Sequence, residues 1–213
     1  MRLTNYLTEE SRTPINSYGQ IVGLIRKNCK QYIQEVNSGS GRLFLREVNT
    51  GITEFGYLQS LRSKRRPVDI DVIAHNILDD WMFKKFGMRG RSNAWFVWST
   101  KGYNYVNMAY TDFLFVFPYN GYKYLFNPYV NDVYAKLKNL DYDPQESAEN
   151  FIKMYGKNYM TKGALTKPET IRIEVMLQAP KCLFVNSEAV NKQELYGIEN
   201  PTNFWKDVGI TKF

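Results

Sequence analysis

The sequence predicts an α+β fold, with split mixed or antiparallel β-sheets behind an N-terminal helical segment. Two observations carry this prediction. Apolar residues recur at helical spacing near the start of the chain and again after residue 69. The middle and late stretches instead hold short apolar runs of strand length, bounded by Gly, Pro, Asn and Ser.

Taken in order, Thr13-Pro14 reads as a helix start, an N-cap followed by a proline at the first helical position. Ile15, Tyr18, Val22, Ile25, Cys29, Tyr32, Ile33 and Val36 then extend one long amphipathic helix to about residue 36, and the Gly-Ser-rich stretch after it ends the helix. Leu43-Phe44-Leu45 is a short buried strand leading into Arg46, and residues 47–67 read as a polar loop. Asp69 can cap a second helix whose stripe is Ile70, Ile73, Ile77, Leu78, Trp81, Met82 and Phe86, closed by Gly87.

Ala94 to Trp98 is a strand expected to stop at Ser99-Thr100. Phe113 to Phe117 is another, joined through Asn120-Gly121, a hairpin signal, to a third over residues 122–126. Asp143, Pro144 and Glu146 make an N-cap, a first-turn proline and an acid three residues after the cap, so a helix runs to about Tyr155 before Gly156. Residues 157–167 read as a flexible stretch. Ile171, Ile173, Val175 and Leu177 alternate with polar neighbours in a late strand, and Leu183 to Val185 resumes the sheet after Pro180.

The 213 residues fit a single domain, with an N-terminal arm and long helix over 1–41 and a mixed α/β body over 42–213. Cys29 and Cys182 have no Cys or His neighbour at metal-ligand spacing and read as core thiols, so no metal site is expected. No apolar signal segment opens the sequence and no apolar run reaches membrane-spanning length. The expectation is a soluble protein, cytoplasmic or virion-associated and not secreted.

Lys and Arg number 28 against 21 Asp and Glu, a formal net charge of +7 that favours nucleic acid or another anionic surface as partner. The excess gathers in the first half, where Arg62, Lys64, Arg65, Arg66, Arg89 and Arg91 are the candidate nucleic-acid-binding residues; the other reading of such a run is a solvated loop. Rings among these cations, including some of the 16 Tyr, suit stacking on bases as well as an ordinary core. His75 reads as a satisfied side chain beside the second helix's apolar stripe.

Three further features stand in order: Arg46 at the end of one buried strand, Ser99-Thr100 at the end of another, and Glu174 within the late strand Arg172-Ile173-Glu174-Val175-Met176-Leu177. This order, with a long helical segment before the Arg strand, resembles the Arg-Ser-Glu class of ADP-ribosyltransferases. The resemblance implies an ADP-ribosyltransferase-like fold with NAD as substrate. Arg46 would grip a dinucleotide phosphate as a planar fork, and Ser99 with Thr100 would bond the nicotinamide ribose. Glu174 would bond the ribose 2′-hydroxyl and stabilise the oxocarbenium-like state as nicotinamide leaves.

Arg172 occupies the position where many members carry Glu or Gln. Strand alternation puts it on the face of Glu174, about 7 Å along the strand, where it would tune the acid's pKa and repel an arginine acceptor. The opening residues, the Arg strand and Phe-Val-Phe-Pro-Tyr-Asn-Gly also resemble small proteins of tailed bacteriophages.

Each residue keeps a plainer reading: an Arg46 salt bridge with Glu47 or Asp112, a strand-end cap at Ser99-Thr100, and an ion pair of Glu174 with Arg172. The expected function is a phage-type mono-ADP-ribosyltransferase acting on a host or nucleic-acid acceptor. The alternatives are an inactive relative that binds nucleic acid in an anti-defence role, or a structural virion component.

Overall fold

The computed structural model describes residues 12–40, 42–47, 54–61, 66–67, 70–101, 113–138, 140, 143–161, 173–187, 190 and 204–211. Along the chain these form β1 (Arg12–Ile15), α1 (Tyr18–Asn28), α2 (Lys30–Glu35) with a π-turn at Val36–Ser40, β2 (Arg42–Glu47), β3 (Gly56–Ser60), α3 (Val72–Phe86) and β4 (Trp95–Lys101). There follow β5 (Phe113–Pro118), β6 (Lys123–Phe126), α4 (Val133–Lys138), α5 (Pro144–Tyr155), a 3-10 turn at Gly156–Asn158, β7 (Ile173–Gln178), β8 (Lys181–Asn186) and α6 (Phe204–Asp207). The α+β class is as the sequence predicts, and β1–β3, β2–β5, β3–β8, β5–β8 and β6–β7 all pair antiparallel.

The chain divides into two compact units. One, here the Arg46 unit, comprises Thr4–Ser60, Ser99–Tyr122 and Ala179–Phe213; the other, the Glu174 unit, comprises Leu61–Trp98 and Lys123–Gln178 with Met1–Leu3.

In the Arg46 unit the strand order is β1-β3-β8-β5-β2. The expected helix start at Thr13-Pro14 is instead β1, at the end of that order, where a proline that lacks an N–H is tolerated on an edge. The helix begins later, with Ser17 as the cap accepting from the Gln20 amide. It is also not continuous, because it breaks at Cys29. Asn120 and Gly121 meet the backbone and side chains exposed by that break: the Asn120 amide donates to the Asn28 carbonyl, Asn120 Oδ1 accepts from the Gln31 amide, and the Gly121 amide donates to Gln31 Oε1. The Asn-Gly turn is therefore committed to the helix break. It does not join paired strands, since β5 pairs with β2 and β8 whereas β6 pairs with β7.

Ile21, Ile25, Cys29, Tyr32 and Val36 form the buried face of α1 and α2. Gly56 on β3 allows close approach there, since a Cβ would collide with the Phe184 carbonyl oxygen and lie 2.7 Å from Ile21 Cδ1. The C-terminal segment is fastened to the same helices. Tyr18 donates to the Asp207 carboxylate, and Asn37 Nδ2 donates to the Gly209 carbonyl at 2.7 Å. Phe204 and Trp205 pack edge-on against Phe117 and Phe115.

In the Glu174 unit the order is β4-β7-β6, of which β4 contributes its Trp95–Trp98 part while Ser99–Lys101 fall in the Arg46 unit. Asp71 performs the capping expected of Asp69, which lies outside the described residues; its carboxylate accepts from the Ile73 amide at 2.7 Å. Gly87 closes α3 in the left-handed conformation, φ 66°. The buried face of α3 is Ala74, His75, Leu78, Asp79 and Met82, so the predicted stripe is rotated and Ile73 stands half-exposed. α5 starts at its Asp143 cap with Pro144 in the first turn, as its sequence predicts. Leu78, Met82, Leu125, Val133, Phe151, Tyr159 and Met176 belong to one apolar cluster.

Candidate functional site

Alternation along β7 places Glu174 on the same side as buried Met176. Its carboxylate meets Arg91, Nη1 to Oε1 at 3.5 Å, with side chains 10% and 12% exposed for Arg91 and Glu174. Burial pushes the Glu174 carboxyl up to about 7, and the charge of Asp132 adds to the rise. Arg91 and the backbone N–H of Val133 act the other way and keep it from rising further.

The segment carrying Arg91 is held by a buried carboxylate. Asp79 Oδ1 accepts from the Arg91 amide at 2.8 Å and the Ser92 amide at 3.0 Å, while Oδ2 accepts from the Ser92 hydroxyl at 2.6 Å and from Arg89 Nη1 at 3.1 Å. Burial alone would raise the Asp79 pKa, but the bonds from Ser92, Arg91 and Arg89 outweigh it and leave the pKa lowered. Gly90 permits the close packing between them, since a Cβ there would come within 2.8 Å of Met82 Sδ and 2.9 Å of Met176 Sδ.

The Arg91 guanidinium lies 4.5 Å from the centre of the Phe96 ring. Two donors at this centre are unspent among the described residues: Arg91 Nε and the Tyr159 hydroxyl are buried with no hydrogen-bond partner. Burial raises the Tyr159 pKa, with Glu174 adding and Arg91 opposing, so the phenol stays protonated. Its ring is held edge-on by Trp81 at 5.4 Å. The arrangement offers a proton-accepting carboxylate poised near neutrality beside two fixed donors, a set suited to a ligand hydroxyl.

Arg46 and Ser99 belong to the other unit. Arg46 on β2 has its guanidinium 5.8 Å from the Phe184 ring centre, and burial lowers its pKa, with the charge of Arg12 adding to that. Ser99 is fully buried and its hydroxyl has no partner among the described residues. Because β4 continues to Lys101, Ser99 and Thr100 lie within the strand and do not cap its end.

Arg172, Arg62, Lys64 and Arg65 lie outside the described residues, as do Asp112 and the side chain of Thr100. Arg66 is exposed. Arg89 bridges Asp79 at 3.1 Å and Asp80 at 2.8 Å, and Arg91 faces Glu174, so both cations are engaged within the protein and offer less to an external phosphate.

Sequence reasoning found Glu174 but not Asp79 or Tyr159. The signal for Asp79 was present: it falls at helical spacing with His75, Leu78 and Met82, and a carboxylate on an apolar face needs donors nearby. Tyr159 was hidden in a stretch with no periodicity.

Among the described residues no group of three or more His, Cys, Asp and Glu is placed to hold a metal ion. None of their helices is long and apolar enough to cross a membrane. No protein-family model matches the sequence, and no curated protein or solved structure matches it.

Proposed function

We propose that the protein is a phage-type mono-ADP-ribosyltransferase that moves ADP-ribose from NAD to a host or nucleic-acid acceptor, with Glu174 as the catalytic carboxylate. The observation that carries this reading is the enclosure of Glu174 on β7, its carboxyl pushed up to about 7 and held beside Arg91. An ionised Glu174 accepts the ribose 2′-hydroxyl proton in a hydrogen bond and opposes the positive charge that grows on the ribose ring. The C1′–nitrogen bond breaks with its electron pair leaving on nicotinamide, C1′ bonds to the acceptor, and the acceptor's proton passes to solvent. Low local polarity strengthens the charge interaction that lowers the barrier. Arg91 acts as a positioning residue, and the formal net charge of +7 supports a polyanionic acceptor.

Purified protein is incubated with labelled NAD and bacterial lysate or nucleic acid. Label transfer is expected to fall on the order of a thousandfold in Glu174→Gln, as for loss of a principal charge-stabilising group. Because the ionised carboxylate is the working form, wild-type transfer rises with pH and half-saturates near 7. Transfer by Glu174→Gln at the wild-type rate removes the assignment.

A further inference from the structure

In the Arg46 unit the strand registers set Ile15, Gly56, Val185 and Phe115 in one row across β1, β3, β8 and β5, so they share a sheet face. Phe117 and Lys181, an even number of residues further along β5 and β8, lie on the same face. Helices α1 and α6 both pack there. Ile21 of α1 meets Gly56, and Trp205 and Phe204 of α6 stand edge-on to Phe115 and Phe117 at 4.7 Å and 6.1 Å. Beyond the helices the surface is basic: Arg26, Lys27, Lys30, Lys181 and Lys206 are all exposed. Arg26 Nε donates to the Asp207 carbonyl, which ties the residue after Lys206 to α1. On Lys181, the carbonyl accepts from the Tyr119 amide at 3.0 Å, while Asn120 donates to the Asn28 carbonyl at 2.7 Å, so Lys181 is held beside the helix break that separates Lys27 from Lys30.

An ordinary solvated helix face alternates its charges, and this one does not. In the Glu174 unit Lys84, Lys136 and Lys153 each follow an acid four residues earlier, Asp80, Asp132 and Glu149. Lys27 and Lys30 have no acid three or four residues away in either direction; they have each other, and Lys30 also has Arg26. None of the four lysines enters an ion pair among the described residues. The acids on these helices are spent elsewhere, Glu35 accepting from the Tyr122 hydroxyl and Asp207 from that of Tyr18. Arg26 and Lys27 suit the negative end of α1, but Lys30 opens α2, where the helix's own field disfavours a cation. The repulsion built up here is relieved by an anion long enough to reach several lysines.

We propose that this face, through Lys27, Lys30, Lys181 and Lys206, is a docking surface for the phosphate backbone of double-stranded nucleic acid. The exposed large apolar side chains among the described residues all belong to the Glu174 unit. The lysine face therefore offers no apolar wedge to a bilayer and no ring on which an unpaired base would stack. A duplex keeps its bases inside and turns its phosphates out, which matches a surface of ammonium point charges and makes the contact independent of sequence. The proposal does not rest on the transferase reading.

The full chain is titrated into a labelled DNA duplex of arbitrary sequence, and binding is read by fluorescence anisotropy over a series of salt concentrations. With four phosphates neutralised, log affinity is expected to fall against log salt with a slope of about 3 to 4 in magnitude. The double variants Lys27→Gln with Lys30→Gln, and Lys181→Gln with Lys206→Gln, are each expected to weaken binding about tenfold or more and to reduce that slope by about two. Thermal midpoints near the wild-type value are expected for both, which separates lost binding from lost folding. Glu174→Gln is expected to bind the duplex like the wild type, so failure of this surface and failure of the transferase reading are told apart. Affinity unchanged in both double variants overturns the proposal. So does tighter binding to the single strand than to the duplex, or to phosphatidylserine vesicles than to either.

Discussion

The two units handle arginine and close packing differently. In the Glu174 unit, Arg89 and Arg91 each lie over a ring and also reach a carboxylate, and the network converges on one acid, Asp79. In the Arg46 unit, Arg12 and Arg46 lie over Tyr57 and Phe184, and the tightest approach is of backbone to backbone at Gly56. One unit concentrates its order in a side chain that several groups share, and the other in the spacing of strands. The first is therefore most sensitive to loss of a polar atom and the second to gain of an apolar one.

The largest expected effect is on Asp79. Asp79→Ala removes four hydrogen bonds at a side chain that is 4% exposed, leaving the Arg91 and Ser92 amides without their acceptor. Leaving two backbone amides and the Ser92 hydroxyl without their acceptor is expected to destabilise by about 3–5 kcal/mol, read as a lower urea midpoint. With a lowered folded pKa, Asp79 contributes stability that is present above its unfolded pKa of about 3.9 and lost as pH falls through the lower folded value. A midpoint that hardly moves in the variant would show that Asp79 is not the hub of its unit.

A smaller effect sharpens the other half of the comparison. Gly56→Ala sets a methyl against the Phe184 carbonyl, part of a paired backbone that cannot yield without breaking the β3–β8 ladder, and is expected to destabilise by about 3 kcal/mol. Gly90→Ala meets only the thioethers of Met82 and Met176, which can rotate away, and about 1 kcal/mol is expected. Thermal midpoints of the two variants measure the contrast, and equal shifts would remove it.

What the sequence disclosed follows the same division between local and long-range order. The Asp143-Pro144 start of α5 and the Gly87 stop of α3 were legible because caps are set by one or two residues and their own backbone. Thr13-Pro14 misled because the same pair suits a helix start and an edge strand, and only the β1–β3 register decides between them. Asn120-Gly121 misled because its hydrogen bonds go to Asn28 and Gln31, about ninety residues earlier. At the site, Glu174 was legible from its strand. Its partner was not: the cation beside it is Arg91, 83 residues away in sequence, and nothing local to β7 announces that contact.

The pH dependence of stability probes the Glu174 centre without assuming any activity. A carboxyl whose folded value is about 7, against about 4.3 unfolded, binds more protons in the native state between those limits, so stability is highest below the unfolded value and falls as pH rises toward 7. The fall is expected to be on the order of 3–4 kcal/mol, since each pKa unit of difference corresponds to about 1.4 kcal/mol. Glu174→Gln cannot ionise, so its urea midpoint should lack this component of the decline, and near pH 8 it should match or exceed the wild type despite facing Arg91. Parallel profiles for the two proteins would mean that Glu174 titrates as an ordinary solvated carboxylate, and the distinction drawn between a unit built on shared buried charge and one built on strand spacing would lose its centre.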